Sequence, residues 1–382
     1  MSPSRVTGDY RPQPGGYRAF HPAPLPPDPP LALTAARVRL LSEADRAVAG
    51  LDSVTDLLPD PDGFVYSYVR REAVLSSRIE GTQSSLDDLV RREAGIEAGR
   101  GSDVNEVSNY VSALNEALAA LAEVPVSVRL IRAMHRRLMQ DTRGGQREPG
   151  ELRRHQVHIG AEGTGVGGAV FIPPPPDAVL DALAALESYI HAEDGDVADA
   201  PLIRIGLAHA QFETIHPFGD GNGRCGRLLI SLLLAEKRLL RQPVLYLSLY
   251  FSRHRQDYYD HLQATRDRGD WEGWIDFFLR GVIETAADAR DRARRIVRMR
   301  EDHRDLIVSR GGAAKALRLL DHLFRQPYVS INTVAERLEV SFPTASRMVE
   351  NLEQDMILRE VTGQQRGRIY VYQPYIDLFS DR

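Results

Sequence analysis

Apolar residues recur every three to four positions along most of this chain, and strict alternation of apolar and polar positions is rare. That spacing predicts a mostly α protein. Helices are expected from Ala32 to about Leu51, from Phe64 to Glu80, from Val104 to Leu121 and from Ser127 to Gln140. Asp177 can cap another that runs to about His191. Pro201 to Ile215 reads as a helix and is followed by a second through LLISLLLAEK. His254 to Arg266 and Trp271 to Ile283 continue the pattern. The charged stretch from about Glu284 to Ser309 reads as a separate, solvated connector that ends at Gly311-Gly312.

Proline and glycine interrupt this pattern. Residues 1 to about 30 contain PAPLPPDPP, which predicts extended polyproline II. Tyr17, Phe20 and Leu25 are spaced so that this arm can lie across the body. Further on, Val157–Gly160 and Ala169–Ile172 read as two short strands around a glycine-rich turn, stopped by the prolines at 173 to 176. Beyond residue 311, Ala313–Phe324, SINTVAERLEV and PTASRMVENLEQDMIL read as three helices, and RGRIYVY as a strand after a turn. That order is the pattern of a winged helix-turn-helix, whose third helix offers Ser341, Thr344, Ser346 and Arg347 to a groove, with Arg366 and Arg368 on the wing.

The densest chemistry lies in HPFGDGNGRCGR, His216 to Arg227. Pro217 lacks an amide hydrogen and disfavours helix at His216, so the preceding helix should end there and leave the imidazole at a loop. Gly219, Gly221 and Gly223 let the backbone turn and approach a ligand closely. The next helix begins within this stretch, and its free amides and positive dipole end form an anion site. Arg224 and Arg227 share one face of its first turn. Asp220 adds a hard oxygen suited to Mg²⁺ shared with phosphates. A dinucleotide-binding fingerprint is excluded, because that motif needs a preceding strand and LIRIGLAHAQFETI reads as helix.

This string resembles the signature of the Fic-domain family, His-x-Phe-x-Asp/Glu-Gly-Asn-Gly-Arg-x-x-Arg, at every specified position. The resemblance implies a Fic-type helical core and transfer of AMP from Mg-ATP to a Ser, Thr or Tyr hydroxyl of a target protein, and of the chain itself. It implies His216 as general base, Phe218 as the loop's anchor in the core and Asp220 as metal ligand. Gly221, Asn222, Gly223, Arg224 and Arg227 would hold the phosphates, with Tyr258 and Tyr259 bordering the adenine. It also names the 157–172 hairpin a flap that docks the target, with Ile159, Gly160, Val170 and Phe171 at its strands. Upstream, SSRIEG fits the family's inhibitory pattern Ser/Thr-x-x-x-Glu-Gly/Asn through Ser76, Glu80 and Gly81. By resemblance Glu80 pairs with Arg227 and takes the place of the γ-phosphate, the N-terminally inhibited arrangement.

Together these readings divide the chain into a proline-rich arm (1–30), an N-terminal helical region with the inhibitory helix at 64–81 (31–125), a Fic core (126–283), a helical linker (284–311) and a winged-helix domain (312–382). Composition narrows the setting. Cys225 is the sole cysteine, which excludes an intramolecular disulfide and a cysteine-cluster metal site and suits a reducing, cytoplasmic location. A secretory pattern and a membrane span of ~20 apolar residues are both absent. The net charge of -5 gives no global drive toward nucleic acid. Charges in the last domain are about balanced, so DNA binding there competes with protein interaction or homodimerisation. Two rival functions stay open: removal of AMP or transfer of another phosphate-containing group, and a transcriptional regulator that only senses nucleotide. The complete pair His216 and Asp220 favours chemistry, since sensing needs no base.

Overall fold

Two helices with almost no exposed residue form the centre of the protein: α6 (Pro201–Ile215) and α7 (Asn222–Glu236). Every residue of α6 from Leu202 to Ile215 is buried, so neither helix shows the single apolar stripe of a surface helix. Pro201 starts α6 where a missing amide hydrogen costs nothing. At the other end His216 adopts a left-handed conformation, φ 50° and ψ 61°, and Pro217 follows. The computed structural model describes residues 5–55, 61–81, 102–142, 148–160, 165–193, 197–311 and 314–379, with isolated positions between them.

Around this pair lie α1 (Ala35–Thr55), α2 (Pro61–Ile79), α3 (Ser102–Ala120), α4 (Val128–Leu138), α5 (Val179–Ile190), α8 (Ser248–Arg253) and α9 (Arg255–Arg268). Ser127 caps α4 by accepting the Leu130 amide at 3.3 Å. The short α8 had no separate signal in the sequence.

The expected break near residue 283 is absent. Trp271–Ser309 is one helix, α10. Its first turns pack Trp274, Ile275 and Phe278 against α6, and its later turns bury Ala286, Ala289, Ala293 and Ile296, with α1 alongside. Small alanines let two helix backbones approach closely, and Asp288 faces inward to accept from Arg71 of α2 at 2.8 Å, so the stretch is not a solvated connector. Gly281 sits inside α10 because a Cβ there would lie 2.8 Å from the Tyr250 ring.

Ahead of the proline-rich stretch the N-terminal arm pairs with itself, which the sequence reading did not anticipate. It forms an antiparallel hairpin, β1 (Gly8–Pro12) with β2 (Arg18–Pro22), Tyr10 opposite Phe20. Arg5 pins its start by bonding both oxygens of Glu272, at 2.6 and 2.8 Å. Phe20 is buried and its amide donates to the Ile172 carbonyl at 2.9 Å.

After residue 313 come α11 (Ala314–Arg325), β3 (Tyr328–Ser330), α12 (Ile331–Leu338), α13 (Phe342–Gln354), β4 (Arg359–Glu360), β5 (Ile369–Val371) and α14 (Gln373–Asp377). The strands form an antiparallel sheet in the order β3-β5-β4; β3 and α14 lay outside the sequence expectation. This unit packs on α2. The Tyr375 hydroxyl lies 3.0 Å from Ser67 Oγ and donates to the Gly63 carbonyl at 3.3 Å, while Phe379 packs on Phe64 and Tyr68.

The Trp274 indole is fully buried between α6 and α9, and its Nε1 donates to the Gly206 carbonyl at 2.7 Å. Trp274→Ala should lose about 3–5 kcal/mol of stability. Denaturant unfolding followed by far-ultraviolet circular dichroism measures this, and a loss under ~1 kcal/mol would contradict the packing described.

Candidate active site

The site is built at the junction of α6 and α7. Between them the loop folds on itself: the Phe218 amide donates to Asn222 Oδ1 and Asn222 Nδ2 donates to the Phe218 carbonyl, both at 2.9 Å. The Asn222 side chain thereby shapes the loop. Phe218 is fully buried and stacks on the His135 ring, centroids 3.7 Å apart and planes 2° from parallel. His135 Nδ1 accepts the Gly150 amide at 2.9 Å, so its Nε2 carries the proton and donates to the Asp220 carbonyl at 2.9 Å. Burial lowers the His135 pKa to about 4, which keeps that tautomer neutral. Gly221 must be glycine twice over: φ is 72°, and a Cβ would lie 2.5 Å from Met139 Sδ.

His216 keeps a small exposed face, and its Nδ1 has no hydrogen-bond partner among the described residues. Burial, with the Arg266 and Arg153 charges adding to it, lowers its pKa to about 3. The imidazole is therefore in its neutral, unprotonated form throughout the physiological range. Two buried arginines fix its surroundings. Arg153 donates from Nε to the His216 carbonyl at 2.8 Å and from Nη2 to the Pro174 carbonyl. Arg266 donates to Thr214 Oγ1 at 3.1 Å and to the Glu213 carbonyl at 3.2 Å, and covers the buried Phe171 ring at 4.0 Å. They tie the 157–172 segment to the His216 end of α6.

That segment is slighter than the hairpin the sequence predicts. Two strands are expected, but Ile159 and Phe171 make a single antiparallel bridge, with Ile159 N to Phe171 O and Val170 N to Ile159 O both at 2.8 Å. The glycine-rich connection enters a short 3-10 turn at Val166–Gly168 instead of extending the pairing. Gly160 and Val170 face solvent.

The first turn of α7 carries no side-chain cap. Arg224 rises from that turn and Arg227 from the next, where the sequence expectation put both in the first, and both are buried. Arg227 donates from Nε to Ser76 Oγ at 2.8 Å, and from Nη2 to the Ser76 carbonyl at 2.9 Å and Glu80 Oε1 at 2.8 Å. The sequence reading pairs Glu80 with Arg227 alone. In the structure its other oxygen, Oε2, also lies 2.8 Å from Arg224 Nε, so one carboxylate joins both guanidinium groups. Burial opposes the Glu80 charge, yet the two arginines outweigh it and hold the carboxyl below its usual range. Glu80 follows the end of α2, and Gly81 turns the chain away with φ 98°. A Cβ on Gly223 would lie 2.5 Å from Glu80 Oε1, so glycine is what admits that carboxylate over the helix end.

Asp220 stands at the loop's edge, Oδ1 accepting the Gly221 amide at 2.7 Å and 3.9 Å from Arg224 Nη2. Among the described residues no three His, Cys, Asp or Glu side chains gather into a metal cage. A lone carboxylate at an anion site suits Mg²⁺ that keeps water and takes its other oxygens from phosphates. The two tyrosines part company. Tyr258 is buried and its hydroxyl donates to His209 Nε2 at 2.9 Å, while Tyr259 is 40% exposed with Arg255 over its ring. His135, Arg153, Arg266 and Glu106, which meets Arg224, had no signal in the sequence, since each is a single polar residue outside any motif.

Residues 38–119 match the model of the Fic/DOC family N-terminal region, and residues 125–234 match that of the Fic/DOC family. The chain is 28% identical over 207 residues to a protein adenylyltransferase Fic of Culex quinquefasciatus, covering 52% of this chain and 37% of that protein. It is 33% identical over 165 residues to protein adenylyltransferase fic-1 of Caenorhabditis briggsae, covering 41% and 30%. It is 29% identical over 178 residues to a probable protein adenylyltransferase of Aquifex aeolicus, covering 46% and 51%. The chain thus spans about a third to a half of the length of these curated relatives. A Fic family protein from Desulfovibrio desulfuricans G20 shares the fold, with a TM-score of 0.58 at 21% identity over 90% of this chain and 97% of that one. With both family models in sequence order and the whole signature gathered at one helix end, this chain belongs to the Fic/DOC family.

Proposed function

We propose that this protein is an adenylyltransferase that moves AMP from Mg-ATP to a hydroxyl group of a target protein and is restrained by Glu80. The observation that carries the reading is a neutral, partly exposed His216 beside an uncapped helix end that bears two buried arginines. In the proposed reaction the target hydroxyl gives its proton to the His216 imidazole. Its oxygen bonds to the α-phosphorus, the bond to the bridging oxygen breaks, and pyrophosphate leaves. The α7 amides, Arg224 and Arg227 would hold the negative charge spread over the phosphates, which is most of what phosphoryl-type transfer asks of a protein. Mg²⁺, held through Asp220, would neutralise part of that charge. Extended target backbone would pair beside Val170, and Tyr259 would border the base. Self-modification is a further expectation of the same site.

We read the unit after residue 313 as a winged helix-turn-helix. The hydroxyls of Ser341 and Thr344 bond each other at 2.9 Å, and Ser346 donates to Glu350 at 2.8 Å. Phe342 on the same helix is 53% exposed. That mix of acid and exposed ring suits a protein partner, including a second copy of the chain, better than a DNA groove.

His216→Ala should keep ATP binding and lower AMP transfer by about 10²–10⁴-fold, read as labelled AMP on protein. The lowered pKa adds a second test. An ordinary histidine would lose about nine-tenths of its base form by pH 5.5. A base with its pKa near 3 keeps it, so kcat/KM should show no inflection near 6.5 attributable to His216. Near-native transfer by His216→Ala would remove the assignment.

Asp220→Asn should raise the Mg²⁺ concentration needed for half-maximal transfer and lower the maximum, because one charge on the ion is lost. Superimposable MgCl₂ titrations of the two proteins would show that the metal is held elsewhere.

A further inference from the structure

The two arginines of α7 are held in different ways. All the hydrogen bonds described above for Arg227 run to the end of α2: Ser76 Oγ, the Ser76 carbonyl and Glu80. Arg224 is divided between elements. Its Nε faces Glu80 Oε2 at 2.8 Å, its Nη1 donates to Glu106 Oε2 at 3.1 Å, and its Nη2 lies 3.7 Å from Met139 Sδ on the flank of α4. Glu106 belongs to α3, whose Val107, Tyr110, Val111 and Leu114 are buried against α2 and α4. Its carboxylate is largely covered, 13% exposed, so it is a built partner and not a passing surface contact.

These facts separate the two carboxylates. Glu80 stands over the helix end, where a Gly223 Cβ would touch it. Glu106 grips the Nη1 corner of Arg224 from another helix. The Nε–H of Arg224 is buried and, although close to Glu80, donates no aligned hydrogen bond. If the Glu80 end of α2 withdraws, Arg227 loses Ser76 and Glu80 together. Arg224 keeps Glu106 at hydrogen-bond distance, with Asp220 farther off at 3.9 Å from Nη2, and so a fixed fork whose Nε edge points into the vacated space. A buried guanidinium left with no carboxylate is costly, so a permanent partner also lowers the cost of the unblocked site before nucleotide arrives. Arginine's long side chain carries much rotamer entropy, which such a partner removes in advance.

We propose that Glu106 is a positioning residue that holds Arg224 ready for the polyphosphate and is not a second brake. This rests on the nucleotide reading of the site. The test is a double-mutant cycle in full-length protein carrying Glu80→Gly, with ATP and AMP binding measured by calorimetry in Mg²⁺ and AMP transfer measured in parallel. Glu106→Gln should weaken ATP binding by about tenfold and leave AMP binding unchanged, because AMP lacks the outer phosphates. With Arg224→Ala also present, Glu106→Gln should cost nothing more. Glu106→Asp, which keeps the charge at shorter reach, should fall between, and it stands in should the glutamine variant fail to fold. Equal losses for ATP and AMP, or the same loss without Arg224, would make Glu106 merely structural. Tighter ATP binding on Glu106→Gln would make it a brake. Either outcome overturns the proposal. ATP binding without any AMP transfer would instead count against the proposed function and leave the cycle readable.

Discussion

One carboxylate shared by two buried guanidinium groups governs the arrangement of this protein. Arg224 and Arg227 rise near the positive end of α7, which carries no side-chain cap and whose dipole already favours negative charge. Their side chains are 6% and 2% exposed, so water does little to screen them. Two such charges at one helix end cannot stand alone, and Glu80 supplies one oxygen to each. Removing one member of a buried pair typically costs about 3–5 kcal/mol. Whatever displaces Glu80 must therefore bring its own negative charge, in a shape that spans both arginines. A polyphosphate meets that requirement. In the proposed function, restraint and substrate binding are two ways to satisfy the same electrostatic need.

The rest of the fold holds that cluster and the His216 loop at fixed separation. Complete burial of α6 and α7 leaves the loop between them little freedom, and Asn222, His135 and Arg153 use its remaining backbone groups. α2 places Ser76 and Glu80 at one end, and at its other end packs against Tyr375 and Phe379 of the C-terminal unit. Burial also pushes the Glu72 carboxyl on α2 up to about 7, where it receives the Ser248 and Tyr110 hydroxyls. The helix that leads to Glu80 is thus fastened along its length.

Much of this was legible in the sequence, for definable reasons. A period of 3.6 sets helices by local chemistry, so Pro201–Ile215 ends at the expected residues. The signature concentrates a loop, a helix end and two charges within one short stretch, which makes it readable without a partner. What was missed depends on distant neighbours. Ala286, Ala289 and Ala293 become core only because α1 lies against them, so their charged neighbours suggested a solvated connector. The N-terminal segment is a hairpin because Phe20 finds Phe171 and Arg5 finds Glu272, far along the chain. His135, Arg153 and Glu106 act on backbone or charge contributed by other elements, and no local pattern marks them. The second contact of Glu80, to Arg224, is of the same kind: the motif gives its presence and only the fold gives its reach.

The most direct test of the shared carboxylate is AMP incorporation by Glu80→Gly beside the wild type, with Arg227→Ala in both backgrounds. The account predicts a rise of at least about tenfold on removing Glu80, roughly 1.4 kcal/mol in barrier, and a fall on removing Arg227 in either case. A Glu80→Gly protein no more active than wild type would contradict it, and lower activity would favour a role for Glu80 in AMP removal.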